Sequence, residues 1–479
     1  MALLVYNTLT RRKEEFQPRE PGKVSIYVCG VTPYNFCHVG NARPYLVWDV
    51  IRRYLAYKGY SVRYVQNFTD VDDKIINKAK EEGVTPLQIA DRYIKEYFTD
   101  MDALGIQRAD VYPRVTDHIP DIIRAVEALI KTGHAYELDG DVYYAVESFP
   151  EYGKLSGRSL EDLKAGARIE VNENKRHPMD FALWKASKEG EPAWDSPWGP
   201  GRPGWHIECS VMSLKYLGDG FDFHGGGSDL VFPHHENEIA QSEAYCGGTF
   251  ARYWVHNGFV NMAGEKMAKS LGNVVRVRDV INSFPGVVLR YFMLSTHYRS
   301  PIDFGLDKMP AAQRGWERLH NLEENLAKVL GHTTPDTPLQ LSTEAEAQLK
   351  VFAEHRSAFE AAMDDDFNTA QALGVLFELA RDLNSYLAAG EVSGERAYVL
   401  KEGRDLFLTL GEVLGLTGVA AGAQENTALV EGLIQLVAEL RQEARERRDF
   451  ATADRLRDRL SELGVLLEDT PQGPRWRLK

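Results

Sequence analysis

Only four cysteines occur in the 479 residues: Cys29, Cys37, Cys209 and Cys246. That is too few for a disulfide scaffold, so each thiol is a candidate for metal binding, reactivity or plain burial. No apolar run approaches the roughly 20 residues needed to cross a bilayer, and mean hydropathy is -0.35. The apolar run Ala2 to Val5 is short and precedes Arg11, Arg12 and Lys13, the reverse of secretory order. There is no excess of positive charge either. With 56 Lys and Arg against 70 Asp and Glu, the net charge of -14 weighs against broad, nonspecific nucleic-acid binding but leaves room for a local basic face. No repeat of fixed period is visible. What remains is a cytoplasmic globular chain of about three domains, with 44% hydrophobic residues to build its cores.

The strongest local pattern lies near the N-terminus. Val24 to Val28 is a β-branched and aromatic run ended by Gly30, and Ser61 to Val65 is a second. Between them, Leu46, Val50, Ile51, Tyr54 and Leu55 are spaced for one face of a helix over 41–58. Strand, helix and strand over about 40 residues imply a βαβ unit and a parallel sheet. Residues 112–200 read as an insertion, with a helix from Asp121 to Lys131 and a hairpin from Ala135 to Val146 turning at Asp139-Gly140. The Pro- and Trp-rich stretch 190–205 excludes a long helix or a central strand and reads as an ordered loop. Residues 311–417 read as antiparallel helices, with Leu319, Leu322, Leu326, Val329 and Leu330 on one face and Leu373, Leu376, Leu379 and Leu383 on another. Residues 418–426 are the best linker, ahead of a small final domain at 427–479.

Three constellations can carry chemistry. Cys-His-Val-Gly-Asn-Ala-Arg, 37–43, opens the first helix, where free N–H groups and partial positive charge suit phosphate. Gly40 lets a nucleotide approach the backbone, and His38 and Asn41, three apart, can both donate to phosphate oxygens. Lys-Met-Ala-Lys-Ser-Leu-Gly-Asn, 266–273, supplies Lys266 and Lys269 in a short loop able to close over a triphosphate and stabilise departing pyrophosphate. The third is a scattered set: Cys29, Cys209, and His234 with Glu238 at helical i, i+4 spacing. Two thiolates, an imidazole and a carboxylate suit zinc. On spacing alone, buried thiols beside a helical His-Glu pair fit better, and His235 and Glu236 are neighbouring alternatives.

The first two segments resemble the HIGH and KMSKS signatures of class I aminoacyl-tRNA synthetases. Further segments narrow the resemblance to cysteinyl-tRNA synthetases: Tyr-Val-Cys-Gly (27–30), Asn-Phe-Thr-Asp-Val-Asp-Asp-Lys (67–74), Gly-Trp-His-Ile-Glu-Cys-Ser (204–210), Phe-His-Gly-Gly-Gly-Ser-Asp-Leu (223–230), Phe-Pro-His-His-Glu-Asn-Glu (232–238), Met-Asp-Asp-Asp-Phe-Asn-Thr (363–369) and Leu-Glu-Asp-Thr (467–470). Asn41 stands where HIGH has its second histidine, and Ala268 where KMSKS has its first serine; both changes bear on rate tuning more than on activity.

The resemblance implies an α/β fold. A Rossmann-like catalytic domain (1–111 and 201–250) is split by a connective insertion (112–200). A KMSKS-loop domain (251–310), a helical tRNA-binding domain (311–417) and a C-terminal anticodon-binding domain (427–479) follow. It implies activation of L-cysteine with ATP and Mg2+, then transfer to tRNA(Cys). One Zn2+ per subunit would be held by Cys29, Cys209, His234 and Glu238 and would read the thiol. Thr69 and Trp205 would line the cysteine pocket, and Gly40, Gly226, Asp229 and Lys269 would bind ATP. Cys37 and Cys246 are expected to be plain buried thiols, no membrane is involved, and a monomer is expected. The Arg-rich stretch 441–459, with five acids interleaved, reads by itself as a salt-bridged solvated helix; with Arg475 and Trp476 the resemblance makes it a grip on unpaired anticodon bases. A ligase joining cysteine to a small-molecule amine would share the zinc and both signatures but has no need of such a tail. A silent RNA-binding paralogue would have no need of His38, Lys266 and Lys269.

Overall fold

Strand β1 (Lys23–Val28) is buried at every position after Lys23, as a central strand covered on both faces must be. It pairs in parallel with β2 (Ser61–Gln66), placing Val24 opposite Val62 and Val28 opposite Gln66. Helix α1 (Val39–Tyr57) makes the crossover. It starts two residues before the periodicity suggests, because His38 caps it. After the insertion come α2 (Trp205–Leu217), β3 (Phe221–Gly227), α3 (Glu236–Cys246) and β4 (Ala251–Asn257). The sheet order is β4-β3-β1-β2, all parallel. The chain therefore winds away from β1 in both directions, which opens a crevice at the carboxyl ends of β1 and β3.

The structure is a computed structural model. It describes all residues except 1, 163–173, 263, 268–271, 332–337, 339, 393, 419–422, 463–464, 471–472 and 479, and the side chains of 423–432, 462, 466–470 and 473–478. Met1–Gly418 form one unit and Val419–Lys479 a second.

The parallel sheet runs on past residue 250, since β4 is its fourth strand. The insertion likewise runs past 200. Its antiparallel sheet comprises Ala135–Leu138, Asp141–Tyr144, Phe181–Ala186 and, at the edge, Gly201–Pro203. Pro203 has no N–H to donate, which an edge strand tolerates. Asp139 and Gly140 both take positive φ, 53° and 87°, as a two-residue hairpin turn demands. Beyond β4, Val260–Met262 pairs with Glu265–Lys266 and with Ile302–Asp303.

Helices Met309–Leu330, Thr343–Asp364, Thr369–Ala388 and Gly394–Leu414 follow. Leu319, Leu322, Leu326 and Leu330 are buried as the periodicity requires, but Val329, at the edge of that stripe in the last turn, is 39% exposed. In the second unit, helices Ala423–Glu446 and Phe450–Glu462 precede a hairpin of Val465–Thr470 and Gly473–Leu478 that sets Leu467 opposite Trp476. The expected linker 418–426 is thus shorter, because 423–426 already belong to a helix; 419–422 lie outside the described residues. No helix among the described residues is long and apolar enough to cross a membrane.

Candidate active site and metal centre

A cleft of about 520 Å³ opens at the switch point. Its lining brings together Cys29 and Gly30 from the end of β1, His38, Gly40 and Asn41 from the start of α1, Gly227 and Asp229 beyond β3, and Lys266 and Met267. Two segments some 225 residues apart in sequence thus face one space. His38 is the N-cap of α1. Its Nδ1 accepts the Asn41 amide N–H at 3.2 Å, and the Asn41 side-chain oxygen accepts the His38 N–H at 3.3 Å. This capping box satisfies two backbone donors. It also keeps the ring proton of a neutral His38 on Nε2 and leaves the amide nitrogen of Asn41 as its donor end.

Lys266 holds its ammonium 3.5 Å from the Asp229 carboxylate and 4.1 Å from the centroid of the Phe259 ring. Lys269 and Ala268 lie outside the described residues. Gly226 is buried against Leu230 and His235 and does not line the cleft; its neighbour Gly227 does. At Gly30 the backbone approach is so close that a Cβ would sit 1.5 Å from the Asn67 carbonyl oxygen, and only glycine fits.

Immediately behind Cys29 lies a fully buried cluster. The ligand atoms of Cys29, Cys209, His234 and Glu238 lie within 4.8 Å of one another. The two sulfurs are 3.8 Å apart, Cys29 Sγ is 3.6 Å from Glu238 Oε1, and His234 Nε2 is 3.0 Å from that same oxygen. The end of β1 delivers Cys29, α2 delivers Cys209, the turn Val231–His235 delivers His234, and α3 delivers Glu238. Cys29, His224, His235 and Glu238 satisfy the same proximity.

Buried partners fix each of these groups. His224 Nε2 bonds the second Glu238 oxygen at 2.9 Å, and His206 Nδ1 bonds His234 Nδ1 at 2.9 Å. A chain of three bonds runs from Thr8 Oγ1 to His256, from His256 to His235, and from His235 Nε2 to Cys29 Sγ, at 2.8, 2.8 and 3.3 Å. Burial holds His235 well below the usual imidazole range and His256 down at about 3, so both rings are neutral. Burial alone would also raise Glu238 and depress His234. Their mutual attraction, with His224 on the carboxylate, instead holds Glu238 at about 2 and lifts His234 to about 10. The hydrogen bond from Cys29 lowers Cys209 to about 6 against burial, while burial and Cys209 push Cys29 well above the usual thiol range. A divalent cation would remove that asymmetry, since a coordinating thiol loses its proton outright. Two thiols, an imidazole and a carboxylate, all buried and converging on one point, are a donor set that fits zinc.

Trp205 is 42% exposed and stacks on His234, ring centroids 4.2 Å apart. Thr69 is buried, and its hydroxyl accepts from the Asn67 amide at 3.4 Å. Glu236 is no part of the cluster: its carboxylate accepts the backbone N–H groups of Gly153, Leu155 and Ser156. Cys37 is buried, but Cys246 is only half-buried, at the end of α3, with its thiol 3.3 Å from the Gly248 carbonyl. The supporting histidines 206 and 224 carry no distinguishing signal in the sequence beyond lying inside the quoted segments. Their role depends on which atoms the fold puts beside them.

Comparison with known proteins agrees with this geometry. Residues 15–314 match the family described as tRNA synthetases class I (C) catalytic domain, 358–418 a DALR domain, and 436–477 the cysteinyl-tRNA ligase anticodon binding domain. The cysteine–tRNA ligase of Pelotomaculum thermopropionicum is 59% identical over 484 residues, covering 99% of both chains. That of Moorella thermoacetica is 57% identical over 479 residues, covering 99% of this chain and 100% of its own. Among solved structures, Mycobacterium tuberculosis methionyl-tRNA synthetase in complex with methionyl-adenylate is similar at a TM-score of 0.61 and 16% identity, over 82% of this chain and 90% of that one, a likeness of fold alone. With both signature segments facing one cleft and full-length relatives at this identity, the chain belongs to the cysteine–tRNA ligase family, ligases of the class I aminoacyl-tRNA synthetase fold.

Proposed function

We propose that the chain forms cysteinyl-adenylate from L-cysteine and ATP and passes the cysteinyl group to tRNA(Cys). The observation that carries this is the cleft shared by His38, Asn41 and Lys266, with Cys29 of the buried cluster on its wall. The cysteine carboxylate attacks the α-phosphate, the bond to the β-phosphate breaks, and pyrophosphate leaves. The terminal ribose hydroxyl of the tRNA then takes the acyl group and AMP departs. His38 Nε2–H and the Asn41 amide donate to phosphate oxygens at the positive end of α1. Lys266 and Lys269 neutralise charge as pyrophosphate departs, by position and field rather than by covalent chemistry. Gly40 and Gly227 keep this floor close, and Asp229 takes a ribose hydroxyl. Mg2+ accompanies ATP.

Cys29, Cys209, His234 and Glu238 would hold one zinc ion, which supplies affinity for a soft thiolate over an alcohol of far higher pKa. This set is favoured over the one containing His224 and His235. It brings two thiols to the ion where the other brings one, and His224 and His235 then hydrogen-bond Glu238 and Cys29 and orient them. Serine and cysteine are nearly isosteric, so a shape-based pocket would separate them poorly, and reading the sulfur removes the need for an editing site. Trp205, stacked on His234, and Thr69 would border the amino acid. The chain would act in the cytoplasm as a monomer.

The test is zinc content measured beside cysteine-dependent ATP–pyrophosphate exchange, followed by charging of purified tRNA(Cys). Exchange with zinc and charging is expected. Exchange without charging would favour a ligase for a small-molecule amine, and no exchange would favour a silent paralogue.

A further inference from the structure

Arg43 belongs to the first signature segment, two residues beyond Asn41, yet it is 1% exposed. Its guanidinium donates to five backbone carbonyls. Nη1 reaches Gly258 at 2.8 Å and Phe259 at 2.6 Å; Nη2 reaches Ser300 at 2.5 Å, Tyr298 at 3.3 Å and His297 at 3.5 Å. These carbonyls belong to two chain crossings. One leaves β4, and the other precedes the strand Ile302–Asp303. Between them runs the excursion that carries residues 266–273. Arg43 thus pins both ends of that excursion to the helix whose first turn presents His38 and Asn41. The contact extends to Lys266, because its ammonium stands over the ring of Phe259, whose carbonyl Arg43 holds.

The second crossing is also held through its side chains. Asp366, buried, accepts from Tyr298 Oη at 2.7 Å, Arg299 Nε at 2.6 Å and the Tyr6 N–H at 2.9 Å. It lies in Met-Asp-Asp-Asp-Phe-Asn-Thr, the segment joining helices Thr343–Asp364 and Thr369–Ala388. Asp366 and Phe367 take φ of 62° and 51°, a costly left-handed conformation for two successive non-glycine residues. Such strain persists only where the surroundings over-determine it, and here three donors to one carboxylate do so.

We propose that Arg43 and Asp366 are positioning residues for adenylate formation: they clamp the 297–300 crossing, Arg43 by its backbone carbonyls and Asp366 by its side chains, and so fix Lys266 relative to His38 and Asn41. The inference rests on the functional reading above. A guanidinium can span two crossings with its planar fork, whereas a lysine ammonium is a single point and cannot.

The experiment compares wild type, Arg43→Lys, Asp366→Asn and the double variant by cysteine-dependent pyrophosphate exchange, with zinc content and circular dichroism on each. Arg43→Lys should lower the exchange kcat roughly 10- to 100-fold, with zinc content unchanged and KM for cysteine within about twofold. Asp366→Asn should fall in the same direction by less. The double variant should lose less than the product of the single losses, because both act on one crossing. A folded Arg43→Lys with wild-type kcat overturns the clamp, and so does a loss shared equally by kcat, cysteine affinity and zinc. Should Arg43→Lys not fold, Tyr298→Phe decides. It removes only the hydroxyl on Asp366, and a lowered kcat with normal zinc supports the clamp while an unchanged kcat rejects it. Absence of exchange in the wild-type chain overturns the functional reading and the clamp together; normal exchange with unaffected variants overturns the clamp alone.

Discussion

Two sites meet at the end of β1, and they are built on opposite plans. The Cys29–Cys209–His234–Glu238 cluster is buried, with Cys29 on the cleft wall, and almost every donor has a buried partner that sets its direction. The adjoining cleft is open, its Lys266 and Asp229 half-exposed, and its geometry is set from behind by Arg43 and the cap of α1. The contrast fits what the proposed function asks of each. Discriminating one small side chain needs donors locked in a low-dielectric pocket, where a misplaced group is costly. Handling a triphosphate needs charge that the substrate can reach and that can follow pyrophosphate as it leaves.

The largest effect is expected in the scaffold both sites share. Burial would raise the Asp49 carboxyl, but Arg290 and Arg53 hold it below the usual carboxylate value. A lowered folded pKa adds stability that is present above the unfolded value and lost as pH falls through the folded one. Asp49→Asn should therefore cost about 3 to 5 kcal/mol at pH 7 by urea unfolding. The gap to wild type should narrow below about pH 4; an equal gap at pH 7 and pH 3 would remove the ion pair as its cause. Next, Lys269→Ala should slow adenylate formation roughly 100- to 1,000-fold with little change in cysteine binding. Equal losses in stopped-flow exchange and in calorimetric cysteine titration would place the lysine in the other site.

The buried site should respond in the opposite sense. His224→Asn should weaken zinc affinity about 10- to 100-fold in chelator competition, and cysteine affinity with it. Unchanged zinc affinity would mean that Glu238 needs no such support. The smallest effect on exchange is expected in the second unit. Arg457, paired with Asp454 and Asp458 on an exposed helix face, should on conversion to Ala leave exchange unaltered and stability within about 0.5 kcal/mol. Charging of tRNA(Cys) is then the one readout that should move, and altered exchange would contradict the separation of roles.

How much was legible varies with how local the signal is. β1, α1 and β2 were readable because their apolar spacing and the glycine after β1 are properties of adjacent residues. The reading was late by two residues at the start of α1 because the cap is a histidine, outside the usual Ser, Thr, Asp and Asn set. β4 was assigned to the following domain because nothing in Ala251–Asn257 says which strand it will pair with; the pairing is made by β3, some 30 residues earlier. Val329 was placed on the buried face because i, i+3 spacing tolerates it, and it is exposed because the stripe ends in that turn.

The sequence by itself determined the kind of chemistry: two signature segments, four thiols too few for a disulfide scaffold, and elements whose periodicities build a parallel sheet followed by helices. Tertiary structure alone decided that Cys29, Cys209, His234 and Glu238 share one buried space, that His206 and His224 orient two of them, and that Arg43 faces inward onto five carbonyls instead of outward onto a ligand. The reason is physical. Periodicity and capping act over a few residues, whereas a donor's role depends on the atoms within about 4 Å of it, and those come from chain segments that only the completed sheet brings together.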